Sequence, residues 1–356
     1  SGGLSPPHCG DSGDDSLMVA TWLTEVWYGH RAPPFWLIPF SGLFGWAVRL
    51  RRALYGMHLI QSTTLPVPVV VVGNITVGGT GKTPLTLGLV AALKERGWHP
   101  GIVSRGYGST LTGVSEVSVQ DDPRRVGDEP ALMARHSGVP VWVGRDRVAA
   151  AQELLARHPE VDVVLSDDGL QHLALNRDME IVVMDGARGL GNGALLPAGP
   201  LREPATRLRQ ADAVVVNGPL MRPLAKGLLL YGLGLQGTQW LNVRNATQTL
   251  PLQAFSGSTC HALAGIGNPQ RFFDALTGLG VNPICHAFPD HYFFSAKDLA
   301  FAGHQPILMT EKDGIKCTRF AGPQVWMLQI TPVVDVALLD LMEHLIRRRL
   351  RGRKAA

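Results

Sequence analysis

The sequence predicts an α/β protein: a mostly parallel sheet with helices on both faces, built around a phosphate-binding loop, plus a smaller C-terminal α/β domain. Three observations carry that expectation. The β-branched run Val69–Val72 passes through glycines into a helical pattern. Apolar strand-like runs then alternate with helical periodicity as far as residue 218. A second, shorter alternation resumes after residue 228.

The loop reads "VVVVGNITVGGTGKTPL" over residues 69–85. The opening valines form a run too short for a helix and suit a buried strand, and the glycines from Gly73 to Gly81 let the backbone curl tightly. Thr83 to Lys94 follow as a helix, with Leu85, Leu89 and Leu93 on one stripe and Pro84 tolerated in the first turn. This is a phosphate cradle of P-loop NTPase type. Backbone N–H groups along Thr76, Val77, Gly78, Gly79, Thr80 and Gly81 face the anion together with the helix dipole. Lys82 reaches the terminal phosphates and the Thr83 hydroxyl holds Mg²⁺, so ATP and Mg²⁺ are the expected cofactors. Thr76 stands where the general G-x-x-x-x-G-K-[ST] pattern has glycine.

Ahead of the loop, residues 1–17 are polar, glycine-rich and acidic, with neither a basic n-region nor an apolar h-region. A disordered extension is expected there, and Met18 is a natural start. Residues 18–60 form an N-terminal amphipathic region. Within it "APPFWLIPFSGLFGWAV" (32–48) has no charge and runs straight into Arg49, Arg51 and Arg52. Seventeen uncharged residues broken by Pro39 and glycines fall short of the roughly 20 that span a bilayer. Trp36, Phe40, Phe44 and Trp46 beside the arginines suit a segment lying among anionic headgroups.

The core is expected over residues 61–227. Strands are predicted at 101–108, 139–144, 161–169, 180–186 and 212–218, with a helix across 146–157. The smaller domain covers 228–332, with short strand-like pieces at 228–233 and 238–243, strands at 261–267, 284–288 and 306–310, and helices at 269–279 and 295–302. An amphipathic helix over 333–351 packs back on the core and ends in arginines, within a C-terminal stretch of 333–356.

Net charge +4 and a pI near 9.0 fit attraction to phosphates or an anionic membrane without marking a nucleic-acid binder. Cys9, Cys260, Cys285 and Cys317 show no C-x-x-C spacing, so they suggest neither a zinc site nor a disulfide framework and fit a reducing compartment.

Carboxylates mark the rest of the chemistry. "VDVVLSDDG" (161–169) ends a buried strand in Asp167 and Asp168, the Walker-B arrangement for Mg²⁺; adjacent carboxylates point to opposite sides, so one of them touches the metal directly. "VGDEP" (126–130) supplies Asp128, a candidate base for an attacking hydroxyl, and "FPDHYFF" (288–294) supplies His291 beside Asp290. "PLREP" (200–204) offers Arg202 for a phosphate and Glu203 for the metal shell. "TEKDG" (310–314) lacks the N-K-x-D spacing that reads guanine.

In this order, "GNITVGGTGKTP", "VSRGYG", "GDEP", "SDDGLQH", "GPLREP", "DHYFF" and "TEKD" resemble the tetraacyldisaccharide 4′-kinase family, which phosphorylates a lipid-borne glucosamine disaccharide in lipid A synthesis. The resemblance runs from about Trp22 to the C-terminal helix, and the family carries Thr or Ser at the position of Thr76. It implies a P-loop core and a smaller domain joined by a two-stranded linker, with substrate bound between them. It also implies an N-terminal region on the cytoplasmic face of the inner membrane of a Gram-negative-type bacterium. On matching positions, Lys82 and Thr83 hold phosphates and Mg²⁺, and Asp128 is the base with His291 as partner. Asp167 and Asp168 are the Walker-B acids, Arg202 and Glu203 line the nucleotide and metal site, and Arg105 faces the disaccharide lipid. No obligate protein partner is implied. A membrane-associated P-loop ATPase that switches a partner explains the loop and the surface segment but not Asp128 and His291. A kinase for a small water-soluble acceptor leaves residues 32–52 without a role.

Overall fold

The computed structural model describes residues 22–29 and 31–354. The extension expected over 1–17 and the start at Met18 lie outside the described residues. Strand Val69–Gly73 sits between Val163–Asp167 and Met179–Asp185, parallel to both, with Val72 directly opposite Asp167. Its side chains alternate between two cores. Val70 and Val72 face Leu85, Leu89 and Leu93 of helix Lys82–Glu95, while Val69 and Val71 join Ala150 and Leu154 of helix Arg147–Arg157. Burial on both faces is why this strand is uninterrupted valine.

Outward on one side follow Pro100–Ser104 and Val141–Gly144, closed by the antiparallel edge Val114–Glu116. On the other side Ala213–Asn217 pairs in parallel with Leu230–Asn242, and the sheet continues without a break. Val325–Val334 runs antiparallel to Leu230–Asn242, and Ile307–Thr310, Thr259–Ala264 and Asn282–Ala287 extend the sheet beyond it. The C-terminal strands have cores of their own, one around Phe294, Ile307 and Met309, the other around Trp240, Phe273 and Leu308.

The short pieces expected at 228–233 and 238–243 are one strand of 13 residues, Leu230–Asn242. Gly232, Gly234 and Gly237 give the stretch the look of a turn. Gly237 instead lies under the opposing strand, where a Cβ would come within 3.3 Å of Leu328. The final helix begins later than predicted. Val333 and Val334 pair with Gly234 and Leu233 as strand, and the Asp335 carboxylate then accepts a hydrogen bond from the Ala337 N–H at the start of helix Val336–Lys354. That helix buries Leu338, Met342 and Ile346 in the core that holds Leu85 and Leu89. The helix expected over 295–302 is only Lys297–Ala300.

Two N-terminal helices, 22–28 and Leu37–Gly56, lie outside the sheet. The second buries only the stripe Leu37, Ser41 and Gly45. Ser41 Oγ donates to the Leu195 carbonyl at 2.7 Å, and a Cβ on Gly45 would sit 2.6 Å from the Leu195 side chain. Small residues thus let the helix seat closely while its large apolar side chains face away. Phe35, Trp36, Ile38, Phe40, Leu43 and Trp46 are all exposed, Phe35 by 83%. Phe44, grouped with them from the sequence, is half-buried. Arg52 also departs from expectation: it turns inward and donates to Glu203 at 2.7 Å. No helix among the described residues is long and apolar enough to cross a membrane.

Candidate active site

The phosphate loop is held at several points. Gly78 and Gly81 adopt φ of 101° and 98°, conformations that tolerate glycine best. A side chain on Gly81 would also strike Asn217, whose amide donates to the Thr80 carbonyl at 3.1 Å. Thr76 is buried and bridges to Leu201, and the Val77 N–H donates to the Pro200 carbonyl at 2.9 Å. Thr80 is buried with its hydroxyl unpartnered. Gly79 lies against Gly267 of the C-terminal unit, where a Cβ on Gly267 would fall 2.2 Å from the Gly79 nitrogen. Lys82 and Thr83 open the helix and are both buried.

The two aspartates at the end of Val163–Asp167 separate as their alternation requires. Asp167 is fully buried and accepts from Thr86 Oγ1 at 3.1 Å, while its other oxygen, Oδ2, has no partner. Burial, then the charge of Glu129, pushes its pKa up. Asp168 has φ 48° and lies 3.6 Å from Lys82 Nζ and 3.5 Å from Arg202. Burial opposes its ionisation, but Lys82, Arg202 and Arg147 outweigh it and hold its pKa below the usual value. Arg147, which the sequence reading missed, is buried and donates to the Asp168 carbonyl at 2.7 Å.

Glu203 is buried but occupied. Gln171 donates to one oxygen at 2.9 Å, Arg52 to the other at 2.7 Å, and Arg207 lies 3.4 Å away. Glu203 is thereby tied to Gln171, Arg52 and Arg207 next to the Arg202 loop. Arg202 also reaches Asn74 at 3.4 Å.

Asp128 opens helix Asp128–Ser137 after Gly127, whose φ of 98° turns the chain sharply. Across 163 residues of sequence, His291 Nδ1 lies 2.9 and 3.0 Å from the two oxygens of Asp128. Lys312 and Lys316 approach the same carboxylate at 3.9 and 4.0 Å. Burial opposes the Asp128 charge, but the His291 hydrogen bond and the lysines prevail, leaving its pKa at about 2. His291 moves the other way. Burial lowers its pKa, the Asp128 hydrogen bond more than compensates, and the net shift is upward from 6.5.

The sequence reading passed over Lys312 within "TEKD". It donates to Glu129 at 3.1 Å and Asp290 at 3.4 Å, and lies 3.4 Å from His291 Nε2. Thr310 places it by capping helix Glu311–Cys317 through the Asp313 N–H. Tyr107, also missed, is exposed with its ring centroid 5.0 Å from that of His291. Arg105, two residues earlier, is exposed and has no side-chain partner among the described residues. A cleft of about 810 Å³ runs from Gly79–Thr83 past Asn217, Gly267 and Arg271 to Glu129 and Lys312, the direct neighbours of the Asp128–His291 pair. The arrangement can hold a polyphosphate at one end and take a proton at the other.

Residues 34–347 match the family model described as LpxK, tetraacyldisaccharide-1-P 4′-kinase. A tetraacyldisaccharide 4′-kinase of Methylobacillus flagellatus is 48% identical over 90% of this chain and 94% of its own length. The Dechloromonas aromatica protein of the same name is 48% identical over 95% of this chain and 100% of its own length. Among solved structures, the apo form of LpxK from Aquifex aeolicus in complex with ATP superposes with a TM-score of 0.72 at 30% identity, covering 86% of this chain and 98% of that one.

The ion pair makes a prediction of its own. His291 should titrate above 6.5 when followed by NMR of its ring. Asp128→Asn removes the hydrogen-bonded charge and leaves burial and Lys312, which lower the His291 pKa, against the smaller upward pull of Asp290, so the midpoint should fall below 6.5. A midpoint that does not move between the two proteins contradicts the pairing.

Proposed function

This chain belongs to the tetraacyldisaccharide-1-P 4′-kinase family, and from that premise we propose how its residues move the γ-phosphate of ATP to the 4′-hydroxyl of a tetraacyl glucosamine disaccharide 1-phosphate. The product is the bis-phosphorylated lipid A precursor. The observation that carries the assignment of roles is the Asp128–His291 contact next to the end of the cleft that leads from the phosphate loop.

The amides of residues 78–82 and the N-terminus of helix Lys82–Glu95 bind the phosphates. Lys82 leaves its long contact with Asp168 and neutralises charge on the transferring group. Mg²⁺ fits this site, where Asp167 and Thr83 would hold it, because the buried Asp167 Oδ2 is an oxygen without a partner among the described residues. Bound there, it would supply neutralisation of the charge on the phosphates. Asp168, held by Arg202 and Arg147, keeps Arg202 aimed at the nucleotide. Asp128 and His291 act as one unit that orients the sugar hydroxyl and takes its proton. Lys312 stays cationic against Glu129, Asp128 and Asp290 and fixes the ring. Arg105, exposed two residues from Tyr107, meets the substrate's 1-phosphate.

The chain is read as a core over 61–227 with the helix of 333–356, and a smaller unit over 228–332 that brings His291 and Lys312 to the core. The substrate's acyl chains place the work at a lipid surface, the cytoplasmic face of an inner membrane. The exposed apolar face of Leu37–Gly56, with Arg49 and Arg51 also exposed, supports a peripheral attachment.

Incubated with ATP, Mg²⁺ and a tetraacyl disaccharide 1-phosphate, the protein should yield a product heavier by one phosphoryl group, with one ADP formed per lipid consumed. Lys82→Ala should keep the fold and lose about a hundredfold or more in kcat, roughly 3 kcal/mol of transition-state stabilisation. ATP hydrolysis that ignores the lipid would overturn the assignment. For the surface, Arg49→Glu with Arg51→Glu should weaken binding to anionic vesicles in a salt-sensitive way. Phe40→Asp with Trp46→Asp should weaken it at any salt concentration. Vesicle binding indifferent to both pairs would remove the membrane from the account.

A further inference from the structure

The mechanism leaves Arg188 without a role, yet this residue stands where three parts of the molecule meet. Its backbone is fixed by Asp185, whose Oδ1 accepts from the N–H groups of Ala187 and Arg188 at 2.9 and 3.2 Å. From there the guanidinium points in three directions. Nη1 donates to the Gly267 carbonyl at 2.6 Å, in the loop of the C-terminal unit that lies on Gly79. The same nitrogen is 3.5 Å from the position that a Cβ on Gly78 would take, so the guanidinium lies within van der Waals reach of the phosphate loop. The guanidinium carbon stands 4.9 Å from the centre of the Tyr28 ring, a cation–π contact with the first N-terminal helix.

Tyr28 completes the junction. Its hydroxyl donates to the Val77 carbonyl at 3.1 Å, directly within the phosphate loop. Helix 22–28 is otherwise tied to the segment that follows Arg188. Trp27 Nε1 donates to the Pro197 carbonyl at 2.9 Å, and the Asn192 side chain donates to the Val26 carbonyl at 3.1 Å. Two further bonds from the C-terminal unit run to the same corner: Asn268 to Asp185 at 3.1 Å and Arg271 to the Asn217 carbonyl at 2.6 Å.

We propose that Arg188 is a positioning residue for the phosphate loop, joining Tyr28 of the N-terminal helix, Gly78 of the loop and Gly267 of the C-terminal unit into one corner. The first N-terminal helix and the C-terminal unit then meet at this side chain, beside their direct contacts with the loop at Val77 and Gly79. A planar fork suits this task, since it donates in its plane while an aromatic ring covers its face. The proposal rests on the kinase reading only for the identity of the nucleotide, so its test measures ATP binding by calorimetry without a lipid acceptor. A wrong acceptor would leave that measurement unaffected.

Arg188→Gln should weaken ATP binding about tenfold, the loss of one charge-assisted hydrogen bond and its supporting charge. Arg188→Lys keeps the charge and should recover only part of that loss. Tyr28→Phe, which keeps the ring and deletes the bond to Val77, should weaken binding about threefold. Combined with Arg188→Gln it should add little, because both changes loosen one junction. The thermal unfolding midpoint, measured alongside, separates loop positioning from loss of fold. ATP affinity within about twofold of the parent protein in folded Arg188→Gln, or losses in the double variant that simply multiply, overturns the proposal. Should Arg188→Gln not fold, Arg188→Lys and Tyr28→Phe and their combination carry the same test with the same two outcomes.

Discussion

A carboxylate withdrawn from water is tolerable only where cations or hydrogen-bond donors replace its lost solvation, and Asp128 is 4% exposed. Its own helix gives it a single N–H donor, from Glu129 at 2.8 Å. The remaining compensation comes from His291, Lys312 and Lys316, all supplied by the C-terminal unit. The charge of Asp128 is thus stable only when that unit is docked on the core. One interaction both holds the two halves together and creates the pair to which we assign the proton transfer.

The sheet makes the docking possible. Leu230–Asn242 pairs with Ala213–Asn217 on the core side and with Val325–Val334 on the other, so backbone hydrogen bonds run through the junction without interruption. Leu230–Asn242 enters the C-terminal strands and Val325–Val334 returns from them, which makes this antiparallel pair the connection between the halves. Its register shift at Gln329/Ile330 falls where the Ile330 N–H donates to Glu311, one residue before Lys312. Strand geometry and the position of the lysine are therefore linked through a backbone contact.

Much of the core was legible because its side chains obey a period. Uninterrupted valines announce a strand buried on both faces, and glycines followed by Lys82 and Thr83 announce an anion site at a helix start. The resemblance to a family supplied the pairing of Asp128 with His291, which no local pattern carries across 163 residues. Local reading failed where long-range packing decided the outcome. Gly232, Gly234 and Gly237 look like a turn until an opposing strand covers them. Arg52 looks like a headgroup anchor until a buried Glu203 claims it. Lys312 looked like one charge in a polar cluster, because nothing in "TEKDG" tells that Glu129 and Asp290 will stand beside it.

The central claim is that Asp128 and His291 form one proton-accepting unit assembled from two halves of the chain. The most direct measurement is kcat for phosphoryl transfer in Asp128→Ala, His291→Ala and the double variant, with ATP affinity measured for each. The account predicts large losses in kcat with little change in ATP affinity, and a double variant losing clearly less than the product of the single losses. Losses that multiply fully would contradict it, and would leave Asp128 as a structural carboxylate and His291 as its counter-charge.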